Sequence, residues 1–143
     1  MLNRNRQKRK VRSNELVSEQ ELIKVIADFL EMGHLENIIA MYKQQPSYYN
    51  LIDKLLADER FAVRLGVTVL MEELHRIQPD KSPLALPSLT RAIRHKRPLV
   101  RGEAANILDI IHSHEAIALV KTLTQDPSSQ VREVALDIME QDG

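Results

Sequence analysis

The chain has 143 residues, of which 43% are apolar and 28% charged, the balance of one soluble domain with a core of its own. It has no cysteine, which excludes disulfide frameworks, zinc–thiolate and iron–sulfur sites and thiol nucleophiles, and points to a reducing, cytoplasmic setting. With 4 Gly, 2 Phe, 3 Tyr and no Trp the chain is poorly equipped for a strand-rich fold. No uncharged apolar run reaches the roughly 18–20 residues a membrane span needs.

The net charge is zero but unevenly spread. Residues 1–12 hold Arg4, Arg6, Lys8, Arg9, Lys10 and Arg12 and no acid, which leaves 14 of the 20 bases to face all 20 acids in the remainder. A +6 segment therefore precedes a −6 body. Residues 1–15, with no apolar run to form a core or a secretory signal, are expected to be a flexible basic arm. The body is expected to be one domain over 16–143.

That body reads as helical throughout. Ser18 and Glu21 have capping-box spacing ahead of Leu22, Ile23, Ile26, Phe29 and Leu30, and Gly33 suits the stop. A second helix over 35–45 has Leu35, Ile38, Ile39 and Tyr42 on one face and ends at Pro46. A third, 48–57, turns Tyr48, Leu51, Ile52, Leu55 and Leu56 inward, which leaves Tyr49 outward as a candidate contact residue. The fourth spans 60–77, and turn residues at 78–83 follow it. Four further periodic segments lie near 84–95, 98–112, 114–125 and 128–140, with Pro98 and Pro127 suited to first turns. The sum is eight helices and no strand.

The second half repeats itself. Val63-Arg64, Val100-Arg101 and Val131-Arg132 share a register. With the arginine as zero, position +3 is Val67, Ala104 and Ala135, +6 is Leu70, Ile107 and Ile138, and +7 is Met71, Leu108 and Met139. The preceding helices align through Ile52, Leu89 and Val120, and through Leu55, Ala92 and Leu123. Each unit is a helix pair whose apolar face must stack on a neighbour. Six residues before each arginine stand Asp58, His95 and Asp126. These acids are expected to cap the second helix and to meet their own or a neighbouring arginine, with His95 breaking the ladder.

An acid, five residues and an arginine preceded by valine and followed by small apolar residues resembles the HEAT repeat, most closely the short phycobilisome-lyase-like type. The likeness covers about 47–140. It implies an all-α, α-α superhelix of about four helix pairs: a degenerate capping pair at 19–45 and repeats at 47–77, 84–112 and 114–140. It also implies a concave face, lined by the second helices, that binds other proteins.

Position +8 carries an acid in every repeat, Glu72, Asp109 and Glu140, and +5 adds Asn106 and Asp137. Rows of packed helices would set these acids about 10 Å apart as a ridge suited to a basic segment of a protein partner. Nucleic acid, held by phosphate contacts to residues 1–12, is the alternative partner. Asp109, His112, His114 and Glu115 are metal-ligand types, but no third ligand is fixed in register, so no metal and no cofactor is expected. Iron-binding hydroxylases of related architecture carry His-Glu dyads on several repeats. Here Val100-Arg101-Gly102-Glu103 lacks the histidine. No phosphate loop or nucleophile elbow is present, so the expected role is a noncatalytic adaptor. Gly66 and Gly102, inside helices, suggest close helix approach, or at Gly102 room for a ligand.

Overall fold

A computed structural model describes residues 18–142. The arm residues Arg4, Arg6, Lys8, Arg9, Lys10 and Arg12 lie outside them. The helices are α1 (18–31), α2 (Leu35–Gln44), α3 (Ile52–Leu56), α4 (Phe61–Ile77), α5 (Leu86–Ala92), α6 (Pro98–Ile111), α7 (His114–Thr122) and α8 (Ser129–Asp142). Short 3-10 turns at Pro46–Leu51 and Ser82–Ala85 lead into α3 and α5, and one at Leu123–Gln125 ends the α7 segment. No strand occurs among the described residues.

Local chemistry accounts for most of the boundaries. Gly33 sits at φ +81, and the Gly33 and His34 amides bond the Leu30 and Phe29 carbonyls, the closing pattern that a left-handed glycine allows. Ser113 caps α7 by accepting from the Ala116 amide at 3.1 Å. Ser18 already lies inside α1 rather than capping it. Tyr49 corrects the expectation of an outward contact residue: it is 0% exposed. Residues 46–51 wind at three residues per turn, so the face assignment from an α-helical period slips by one. Tyr49 packs edge-on against Tyr42, with centroids 5.3 Å apart, and its hydroxyl accepts from Gln78 Nε2 at 2.6 Å.

The shared register is visible in the core. Val63, Val100 and Val131 are buried in equivalent places, as are Val67, Ala104 and Ala135, and Leu70, Ile107 and Ile138. Fully burying one such aliphatic side chain is worth about 1.5–3 kcal/mol, so the seam between pairs is the main source of cohesion. The second helices pack directly, α4 on α6 and α6 on α8, while in the first-helix row α3 meets α5 but α5 and α7 scarcely touch. A gap of about 640 Å³, lined by Leu84, Pro87, Thr90, Ala118 and Leu119, separates them. The row of second helices is therefore the continuous one. At the N-terminal end α1 presses on α4, where a Cβ added at Gly66 would stand 2.9 Å from Leu30 Cβ. Gly102 does not share that purpose, because nothing lies within 4 Å of its Cβ position.

The arginine motif does its work through the turns. Arg64, Arg101 and Arg132 each donate Nη1 to two backbone carbonyls, those of Asp58 and Glu59, His95 and Lys96, and Asp126 and Pro127, at 2.8–3.1 Å. This contact ignores the side chain at position −6, so His95 leaves it intact. The side chain at −6 has its own task. Asp58 Oδ1, His95 Nδ1 and Asp126 Oδ2 each accept the amide two residues on, at 2.9–3.0 Å.

The ladder rung is a third contact and runs between repeats. Asp126 takes Arg101 of the preceding repeat in a two-point pair at 2.8 and 2.9 Å. His95 cannot do the same for Arg64, whose Nε is buried without a hydrogen-bond partner among the described residues. Asp58, with no repeat before it, takes Arg60, which also reaches Asp28 and Glu31 of α1.

Candidate functional site

Two grooves adjoin along the row of second helices. The first, about 390 Å³, lies between α4 and α6. Its α4 wall is Phe61, Leu65, Thr68 and Glu72, and its α6 wall is Glu103, Asn106, Asp109 and Ile110. The second, about 190 Å³, lies between α6 and α8 and shares Glu103 and Asn106.

The walls of the first groove differ in chemistry because one helical face serves two purposes. On α4 the residues one turn apart are apolar: Phe61 is 65% exposed and Leu65 51%, and Val69 continues the stripe. Phe61 is steadied by the Arg64 guanidinium, 6.0 Å from its ring centroid. On α6, Glu103, Asn106 and Asp109, three residues apart, come forward. The groove thus joins an apolar stretch, Phe61 and Leu65, to three carboxylates, Glu72 farther along α4 and Glu103 and Asp109 on α6, with no Lys or Arg in its lining among the described residues. Neither Glu72 nor Glu103 has an ion-pair partner among the described residues.

Of the residues expected to form the ridge, Glu72, Asn106 and Asp109 come together in this groove. Asp137 and Glu140 are exposed on α8, but the α8 wall of the second groove is made by Gln130, Val131 and Val134 instead. Glu103, Phe61 and Ile110 were not singled out by the sequence. Glu103 sits at position +2, where Gly66 and Val134 stand in the other repeats, so no repeated charge marks it.

The cluster of metal-ligand types resolves differently. His112, the one described non-glycine at positive φ (53), ends α6 and bridges two carboxylates: Nδ1 is 3.1 Å from Asp109 Oδ1 and Nε2 is 2.7 Å from Asp142 Oδ1. The Asp142 bond, aided by Asp109 against a smaller desolvation penalty, raises the imidazole pKa above its ordinary value. Both nitrogens are thereby engaged in tying the end of α6 to the end of α8. His114 and Glu115 fall beyond the break, in the first turn of α7. Among the described residues no group of three or more His, Asp or Glu is arranged to hold a metal ion, and no helix is long and apolar enough to cross a membrane.

A family model described as HEAT repeats matches residues 49–140. No curated protein and no solved structure matches the chain.

Proposed function

The chain belongs to the HEAT-repeat family, and from that premise we propose that it is a noncatalytic, cytoplasmic adaptor whose α4–α6 groove docks a basic, amphipathic segment of a protein partner. HEAT repeats commonly serve as protein-interaction scaffolds. The observation that carries the reading is the meeting, in one groove, of an exposed apolar stretch (Phe61, Leu65) with three carboxylates (Glu72, Glu103, Asp109), of which Glu72 and Glu103 have no ion-pair partner among the described residues. A segment with apolar residues on one side and Lys or Arg on the other would satisfy both walls. Asn106 adds a hydrogen-bonding group between the acids, and Asp137 and Glu140 extend the negative field along α8 toward an approaching cation.

The groove's charge repels phosphate, so nucleic acid would have to be held elsewhere, by residues 1–12. A titration of the full chain with a fluorescent amphipathic Lys/Leu peptide tests the proposal. Binding is expected to weaken with salt and to fall about tenfold or more in the Glu72→Lys/Glu103→Lys variant, with an unchanged melting curve. Equal affinity of the native and charge-reversed chains for that peptide would overturn it.

A further inference from the structure

We infer that the first occupant of this groove is the chain's own basic segment, residues 1–12, docked in cis and displaced when a partner binds. The inference rests on the groove reading above and names a specific occupant for it.

Charge complementarity is the first argument. Six bases without an acid precede a body that carries the balancing negative charge, and three carboxylates of that body stand in one groove, two of them, Glu72 and Glu103, with no ion-pair partner among the described residues. Residues 1–12 also include Met1, Leu2 and Val11, small apolar partners for Phe61 and Leu65.

Reach is the second. Ser18 lies about 12 residues before Leu30, some 18 Å along α1, and Leu30 rests on Gly66, the neighbour of the groove residue Leu65. Residues 13–17 extend to about 17 Å and residues 1–12 to a further 40 Å or so, against roughly 20 Å for the two helix spacings from α4 to α8. The segment is long enough to cross the whole row of second helices.

The third is mass action. A short tether gives an effective concentration on the order of 1 mM, so a contact with a free-peptide Kd of about 100 μM is occupied roughly nine-tenths of the time. A competitor then sees only about a tenth of the chains open, and its apparent affinity is lowered about tenfold.

The absence of cysteine makes the experiment direct. A nitroxide on Asn3→Cys in the full chain is expected to broaden the amide signals of Thr68, Glu72, Asn106 and Asp109, and the effect should vanish at about 1 M salt or with Glu72→Lys/Glu103→Lys. Replacing the six bases of residues 1–12 with Gln should tighten binding of the Lys/Leu peptide about tenfold. No broadening in the groove, or no gain in peptide affinity, overturns the inference. So does broadening seen only when spin-labelled and isotope-labelled chains are mixed, which would assign the segment to a second copy. If the peptide binds the native groove and the arm does not, the docking groove stands and only its proposed occupant falls.

Discussion

The two joints of the solenoid, α3–α4 against α5–α6 and α5–α6 against α7–α8, use the same apolar register but place their ion pairs at opposite edges. The second is closed at the turns, by the sheltered Asp126–Arg101 pair, and is open between α5 and α7. The first lacks that pair, because His95 replaces the acid; its turns are joined by Arg97 Nη2 donating to the Ala57 carbonyl, and its ion pair lies along the first helices. There Asp53 binds Ser88 Oγ at 2.7 Å and takes Arg91 at 3.1 and 3.2 Å, while Arg91 reaches Asn50. In the second joint the positions of Asp53 and Arg91 are held by Thr90 and Thr122, which cannot form an ion pair. A polar staple is needed at each joint, and its place along the joint is free to differ.

The largest expected effect follows from burial. Arg101 and Asp126 side chains are 12% and 5% exposed, whereas Arg91 is about half exposed. Asp126→Ala strands a sheltered guanidinium and removes the acceptor for the Ser128 amide, so it is expected to cost about 3–5 kcal/mol in urea unfolding. Asp53→Ala is expected to cost about 1–2 kcal/mol, because water can replace the carboxylate at Arg91. Equal losses would abolish the distinction between the joints.

His95→Asp sharpens the same comparison in the opposite direction. The carboxylate would keep the bond to the Arg97 amide and give Arg64 Nε the partner it lacks. A gain of about 1–2 kcal/mol is expected. In an Arg64→Met background the gain should disappear, and a double-mutant cycle measures that coupling. A gain that survives the loss of Arg64 would mean that the rung was never the missing element.

The joints also show what the sequence can and cannot disclose. The register of Val63, Val100 and Val131 was legible because burial acts on residue type at a fixed helical period, which the chain repeats three times. The family follows from that. Position −6 was only half legible. Residue type announces a turn acid, but which arginine it meets depends on how neighbouring repeats are offset, and Asp126 turns back to Arg101. The staple of Asp53 with Arg91 was not legible at all, since it joins positions that do not repeat. The same reason hid Glu103 and Phe61 at the candidate site. Three carboxylates of one sign at +8 drew attention to Glu72, Asp109 and Glu140, yet α6 offers Glu103 to the groove from a position with no counterpart. Tyr49 was misread for a different cause, a 3-10 turn that no apolar period distinguishes from the start of an α-helix.

Glycine gives a smaller contrast between α4 and α6. Gly66→Ala would drive a methyl into Leu30 Cβ close to the α1 backbone, and α1 must move to admit it, at a cost of about 1–2 kcal/mol. Gly102→Ala meets nothing within 4 Å and should stabilise α6 by up to about 1 kcal/mol through helix propensity. Opposite signs in thermal unfolding are the expected result.

The smallest effect is a shallow dependence on pH with opposite slopes at the two joints. His95 is held below its ordinary pKa, first by desolvation and then by Arg97, Lys96 and Arg101. The unfolded chain thus takes up its proton more readily, and the contribution of the Nδ1 acceptor is present above about pH 6.5 and fades as pH falls through the folded value. His112 is held above its ordinary pKa, so the bridge between Asp109 and Asp142 contributes below about pH 6.5 and fades as pH rises through the folded value. The bridge is well exposed, and its share stays within about 1 kcal/mol. Stability is expected to peak near pH 6.5. His95→Asp should remove the decline on the mildly acidic side, and His112→Asn, which tolerates the left-handed backbone, the decline on the alkaline side. Unfolding midpoints that move together in both variants would show that the two histidines do not belong to separate joints.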